Sequence, residues 1–180
     1  MLRPKWHEYF MMMAKMVASR STCNSRPNGC VLVQDNQILS TGYNGSVPGQ
    51  EHCIDFGHDY CVRRISGVKN VQKQEFCVAS HAEINALAMA AKHGISVNGA
   101  IAYMTLNPCM VCLKALRVAG IIEVWYELEY DLNPDAMYDT TAMMMGFNRV
   151  GKSEIHPQMI EYLKTFLDYP TARRRKPATD

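Results

Sequence analysis

Two short motifs, His81-Ala82-Glu83 and Pro108-Cys109-Met110-Val111-Cys112, each stand directly before a run of helix-forming residues, with a strand-like stretch between them. If both motifs serve one centre, the fold must carry two helix starts to the same place. Cys109 and Cys112 are three apart, a spacing that puts both sulfurs on one face of a helix start. There the free N–H groups and the positive end of the helix dipole favour the thiolate, the form that binds metal. A proline directly before the first cysteine suits that position. His81 supplies a third, nitrogen ligand. Three protein ligands with one position left open is the pattern of a catalytic zinc site, whereas a structural site is closed by a fourth Cys or His. Glu83 is not needed as a ligand. Two residues from His81, it reads as the group that moves protons to and from a metal-bound water, whose pKa zinc lowers from about 15.7 to about 7. Either motif alone is a weak signal, since C-x-x-C also serves redox pairs and zinc knuckles.

The chain around these motifs reads as an α/β domain. Trp6, Tyr9, Phe10, Met13, Met16 and Val17 recur at helical spacing and predict an amphipathic helix over 5–20, in which Met11-Met12-Met13 serves packing. Residues 29–33 and 38–43 predict a hairpin around the polar turn Gln34-Asp35-Asn36-Gln37. Helices are expected over 82–91, ending at Gly94, and from Pro108 to Gly120, with strands over 100–104 and 121–126. Further helices are expected over 134–145 and 156–167. Strands alternating with helices indicate a sheet with some parallel pairing. The 180 residues make about one domain at roughly 150 residues each, covering 1–180. Residues 44–79 form an irregular, glycine-broken insert rich in Cys and His. The run Arg173-Arg174-Arg175-Lys176 reads as a solvated terminal segment.

A net charge of +2 excludes nucleic-acid binding driven by the overall field. Residues 1–7 contain no apolar signal region, and no stretch approaches the roughly 18 apolar residues of a membrane span, so a cytoplasmic protein is expected. The chain has seven cysteines, an odd number, and in a reducing compartment cysteine more often binds metal or reacts than cross-links. Cys30, inside an apolar strand, reads as a buried core thiol.

H-x-E followed by P-C-x-x-C is a signature of zinc deaminases of nucleobases. The flanking residues, Arg3-Pro4-Lys5-Trp6, Ser19-Arg20-Ser21-Thr22-Cys23, Thr41-Gly42-Tyr43-Asn44-Gly45, Asn85 and Ala119-Gly120-Ile121, extend the likeness over roughly residues 3–130. With them the sequence resembles the deoxycytidylate deaminases of the cytidine deaminase-like superfamily. That resemblance implies a three-layer α-β-α fold on a mixed five-stranded sheet and hydrolysis of dCMP to dUMP and ammonia, feeding thymidylate synthesis. It implies a hexamer activated by dCTP and inhibited by dTTP, with Mg2+ accompanying the triphosphates. It implies substrate contacts from Asn44, Asn85 and Tyr130, with Arg26 a candidate for the phosphate, and an effector loop at Tyr43, Asn44 and Gly45. It also implies a second, structural zinc on Cys23, Cys53, His58 and Cys77, with Cys61 competing with His58 for the fourth place. Neither nucleic acid nor membrane is an expected partner. Two other readings share the same residues: a deaminase of another base, such as a tRNA adenosine, and a non-catalytic zinc-stabilised interaction module.

Overall fold

In strands β1 (Gly29–Gln34) and β2 (Gln37–Tyr43) the chain doubles back through Asp35 and Asn36, both in the left-handed region at φ 52° and 59°. That is the geometry of a two-residue hairpin turn whose twist matches the strands, and Asn and Asp tolerate it best among residues with a side chain. The structure, a computed structural model, describes residues 3–57, 60–67, 77–129, 147, 149–152 and 155–167. The expected helix over 134–145, His58, Tyr130 and the basic run at 173–176 lie outside them.

Helix α1 (Trp6–Ala18) starts where the Glu8 carboxylate accepts the Lys5 N–H at 2.9 Å, and it is slightly shorter at both ends than the periodicity predicts. After the hairpin come a two-residue strand β3 (Gly45–Ser46), a 3-10 turn at Cys53–Phe56, a single helical turn α2 (Val62–Ile65) and strand β4 (Ala79–Ser80). Then follow α3 (Ala82–Lys92), β5 (Ile101–Leu106), α4 (Met110–Val118), β6 (Glu123–Leu128), β7 (Arg149–Lys152) and α5 (Pro157–Leu167).

The main sheet has five strands in the order β2-β1-β5-β6-β7, antiparallel on the β2-β1-β5 side and parallel through β5-β6-β7, a mixed sheet of the expected kind. Residue-level patterns give four of these strands. They do not give β7, whose Arg149-Val150-Gly151-Lys152 is short and polar as edge strands tend to be. Side chains alternate between two cores. Cys30, Leu32, Ala102, Met104 and Val124 pack with Ala82, Ala86, Leu113 and Leu116 of α3 and α4. Val31, Val33, Tyr103 and Trp125 pack with Phe10, Met11, Met12 and Ala14 of α1 and with Met159 of α5. The result is helix, sheet, helix in three layers. The methionine triplet belongs largely to the second core, and Cys30 is fully buried in the first.

Two glycines let the helices sit directly on the sheet. A Cβ at Gly29 would lie 2.1 Å from the Ala14 carbonyl oxygen of α1, and a Cβ at Gly42 would lie 2.2 Å from the Ala82 oxygen and 2.3 Å from the Ala86 nitrogen of α3. Gly42 therefore sets how closely α3 approaches β2. A separate two-stranded clip pairs β3 with β4, Gly45 opposite Ser80 and Ser46 opposite Ala79. It joins the two ends of the irregular insert immediately before His81.

Candidate active site and metal centre

His81 and Cys109 occupy equivalent places: each is the N-cap residue of its helix, extended in backbone, and neither uses its side chain to cap. Both side chains therefore remain available to a ligand held beyond the helix ends. The connection from β5 through α4 to parallel β6 puts the start of α4 at the C-terminal end of β5, and the contacts of His81 with Cys109 and Cys112 bring the start of α3 to the same end. His81 Nδ1 lies 3.5 Å from Cys109 Sγ and 3.4 Å from Cys112 Sγ. Among the described residues, His81, Cys109 and Cys112 are the only three potential ligands drawn within 4.8 Å of one another. Glu83, in the first turn of α3, is buried at 8% exposure beside this group but outside it.

The electrostatics of the group follow from that packing. Cys109 is pushed down to about 4, first by a hydrogen bond from the Cys112 thiol and, against the burial that opposes it, by His81. Cys112 is pushed up by the same shared proton and by burial. Cys109 in turn raises the His81 imidazole. Burial raises the Glu83 carboxyl, making it a better proton carrier near neutral pH than an exposed glutamate.

The loop after β2 closes over the start of α3. Asn85 Nδ2 donates to the Tyr43 carbonyl at 2.7 Å, fixing the loop to the helix that carries His81 and Glu83. Tyr43 is exposed, whereas Asn44 and Gly45 are buried. Asn44 is a knot. Its Oδ1 accepts from the Asn28 N–H at 2.7 Å and from the Ser21 hydroxyl at 2.7 Å, and its Nδ2 donates to the Arg26 carbonyl at 2.9 Å. Among the described residues, one Nδ2 proton is left for a ligand. Thr105, at the end of β5, accepts the Gly29 N–H at 3.1 Å and donates to Asn28 Oδ1 at 3.4 Å, which ties the knot to the strand leading into Cys109. Motif spacing does not reveal Asn28, Ser21 and Thr105, because their partners are distant in sequence.

The remaining cysteines gather elsewhere. Burial raises the Cys53 thiol, and the charges of Cys23, Cys61 and Cys77 raise it further, so the four share one neighbourhood. Their sulfurs are less tightly drawn together than those of the triad. Burial raises Cys61 too, but the N–H groups of Arg64 and Arg63 and the Arg63 side chain outweigh it and hold the thiol below its usual value. Asn24 braces the cluster, its Nδ2 donating to the Cys53 carbonyl at 2.9 Å and the Gly57 carbonyl at 2.7 Å.

The sequence matches the family model for the cytidine and deoxycytidylate deaminase zinc-binding region over residues 4–128. The chain belongs to that family. Within the family it is 39% identical over 131 residues to a deoxycytidylate deaminase of Schizosaccharomyces pombe, covering 73% of this chain and 39% of that one. It is 38% identical over 134 residues to the deoxycytidylate deaminase of Mycobacterium phage D29, covering 72% of this chain and 99% of that one. The chain thus spans about two fifths of the yeast relative and nearly all of the phage relative. Its fold resembles the crystal structure of dCMP deaminase from the cyanophage S-TIM5 in complex with dCMP and dUMP, with TM-score 0.64, 27% identity, and coverage of 85% of this chain and 100% of that one. The architecture is the α/β fold of this deaminase family. Among the described residues no helix is long and apolar enough to cross a membrane.

Proposed function

We infer that this chain hydrolyses dCMP to dUMP and ammonia using zinc held by His81, Cys109 and Cys112. The observation that carries the reading is that triad, formed at two helix starts, with the buried Glu83 beside it and outside the ligand group. One imidazole and two cysteines, one of them held as a thiolate, are a donor set that suits zinc. Zinc bound there supplies a Lewis acid and a water that ionises near neutral pH. Glu83 takes the first proton of the attacking water and passes it to the ring nitrogen beside the amine-bearing carbon, then carries the proton of the newly formed hydroxyl to the departing amine. One C–O bond forms, one C–N bond breaks, and the products are dUMP and ammonia. The relatives named deoxycytidylate deaminases and the dCMP- and dUMP-bound cyanophage enzyme support this choice of substrate.

The finer parts of the reading are these. Asn44, through its remaining amide proton, and Asn85, Tyr130 and Arg26 face the nucleotide. Tyr43, Asn44 and Gly45 form the loop through which dCTP activates and dTTP inhibits, each arriving with Mg2+. The working form is a hexamer in the cytoplasm that supplies dUMP for thymidylate synthesis. A second, structural zinc sits on Cys23, Cys53 and Cys77, with His58 or Cys61 as the fourth ligand; the shared neighbourhood of the four cysteines supports Cys61 for that place. Either choice closes a tetrahedral site, which has no position for water.

Ammonia release tests the substrate directly. The purified protein is expected to release ammonia from dCMP and none from a cytosine-containing oligonucleotide. Activity on the oligonucleotide alone overturns the reading in favour of a nucleic-acid deaminase.

A further inference from the structure

One hydroxyl holds Asn44 against its own backbone. Ser21 Oγ lies 2.7 Å from Asn44 Oδ1 and 2.8 Å from the Asn44 carbonyl oxygen, so a single hydroxyl proton is shared between the side chain and the main chain of the same residue. That bridge restricts rotation about the Cα–Cβ bond of Asn44. The other bonds of the amide decide which way round it sits: Oδ1 accepts the Asn28 N–H and Nδ2 donates to the Arg26 carbonyl, and neither backbone group can exchange its role. Asn44 is buried, and with Oδ1 met by two donors it offers a ligand a proton and no acceptor.

Ser21 is itself placed by the turn that leaves α1. Its N–H donates to the Ala18 carbonyl at 2.9 Å, and its Oγ accepts the Cys23 N–H at 3.1 Å, a side-chain turn of the kind serine favours. The next residue grips the same loop, since the Thr22 N–H donates to the Asn44 carbonyl at 3.3 Å and Thr22 Oγ1 accepts the Ser46 N–H at 3.2 Å. On the far side the loop is tied to Asn85 and, through Gly45 opposite Ser80, to the residue before His81. Asn44 thus sits between the turn after α1 and the start of the helix that carries Glu83. Among the described residues, Ser21 is the only side chain that bonds to both its amide and its carbonyl.

We propose that Ser21 is a positioning residue for nucleotide binding, its hydroxyl aiming the remaining amide proton of Asn44 at an acceptor oxygen of the nucleotide. The proposal rests on the reading above in which Asn44 faces that nucleotide. Without the hydroxyl, Oδ1 keeps one donor and the side chain gains freedom to turn, so the amide proton is aligned for only part of the time. Asn44 touches no reacting atom in this scheme. Its loss of alignment weakens the ground state and the transition state alike, which raises KM and spares kcat.

The test compares full-length wild type, Ser21→Ala and Ser21→Thr by steady-state kinetics on dCMP, product inhibition by dUMP, zinc content per chain and thermal melting. In Ser21→Ala the KM for dCMP and the inhibition constant for dUMP are expected to rise together by about 3- to 10-fold, with kcat within about twofold of wild type. Zinc content stays unchanged, and Ser21→Thr, which keeps the hydroxyl, restores both constants. In an Asn44→Ala background the same serine change should add less than about twofold to KM, because its target is gone. An unchanged KM in Ser21→Ala overturns the proposal, as does an equal effect in both backgrounds. So does a Ser21→Ala protein that loses zinc and whose kcat falls as far as its KM rises, which makes Ser21 a brace of the turn after α1 alone. If the wild-type protein releases no ammonia from dCMP, the deaminase reading fails by itself. Calorimetric binding of dCMP then decides Ser21: weaker binding in Ser21→Ala supports the proposal, and equal binding in both, or none in wild type, overturns it.

Discussion

The triad and the four-cysteine cluster are both collections of metal-binding side chains, but they are organised by different means. The triad is placed by regular structure: two helices packed on one face of the sheet, each with a ligand at its N-cap. The cluster is placed by irregular chain, from the loop after α1, the 3-10 turn, the lead-in to α2 and the lead-in to β4, cross-braced by Asn24 and by the Arg64–Ser25 hydrogen bond. The first site is preorganised by the core. The second, if it holds the proposed structural zinc, draws much of its own order from that ion, which is how small metal-tied regions ordinarily behave. Loss of metal should therefore cost chemistry at one site and structure at the other.

The sharpest way to break that contrast is Glu83→Gln, which removes the proton carrier and leaves all ligands in place. Turnover of dCMP is expected to fall by about 10²- to 10⁴-fold with zinc content unaltered, measured by ammonia release and metal analysis on the same sample. Next, Cys112→Ser and Cys53→Ser exchange one sulfur at each site. Cys53→Ser is expected to lose one zinc, to become cleavable by protease within residues 47–78, and to melt on the order of 5–10 °C lower. Cys112→Ser should also lose one zinc but abolish turnover while its insert stays resistant. Equal proteolysis of the two variants would remove the distinction.

Gly42→Ala asks whether the core really seats the triad. The added methyl meets the backbone of α3 at Ala82 and Ala86, so the helix carrying His81 and Glu83 must move. A loss of about 1–3 kcal/mol in denaturant unfolding and a lower kcat are expected, with the cysteine cluster still metallated. The smallest effect concerns protonation. In metal-free protein Cys109, held down to about 4, remains a thiolate as pH falls from neutral and loses that form only as pH drops through about 4. Cys53 is shifted the opposite way and is a protonated thiol over the same range. Iodoacetamide at about pH 6 should thus label Cys109 before Cys53, read by peptide mass spectrometry.

How much was legible beforehand divides along the same line. The triad is written in local patterns, because N-cap placement and i, i+3 spacing are properties of a helix start wherever it occurs. The hairpin, β5, β6 and four of the main helices are likewise local, with ends displaced by a few residues. The knot around Asn44 is not local: Gly42-Tyr43-Asn44-Gly45 looks like a turn with a polar residue for a ligand, and only the distant partners Ser21, Asn28 and Arg26 show that most of its amide is spent inside the protein. Spacing does not choose between His58 and Cys61, because the sequence between them has no periodicity to orient either, and His58 lies outside the described residues. Strand β7 was missed because a short, charged, glycine-containing edge carries almost no alternation to detect.

The clip between β3 and β4 has a consequence for how such a protein can change. It fastens Ser46 to Ala79, so the chain between them departs and returns at one point, and its length is nearly independent of the geometry at His81. Doubling a loop anchored in this way adds only about 0.6 kcal/mol of closure entropy. The insert can be lengthened or trimmed between its tethers to Cys23, Asn24 and Ser25 while the catalytic helix keeps its seat on Gly42.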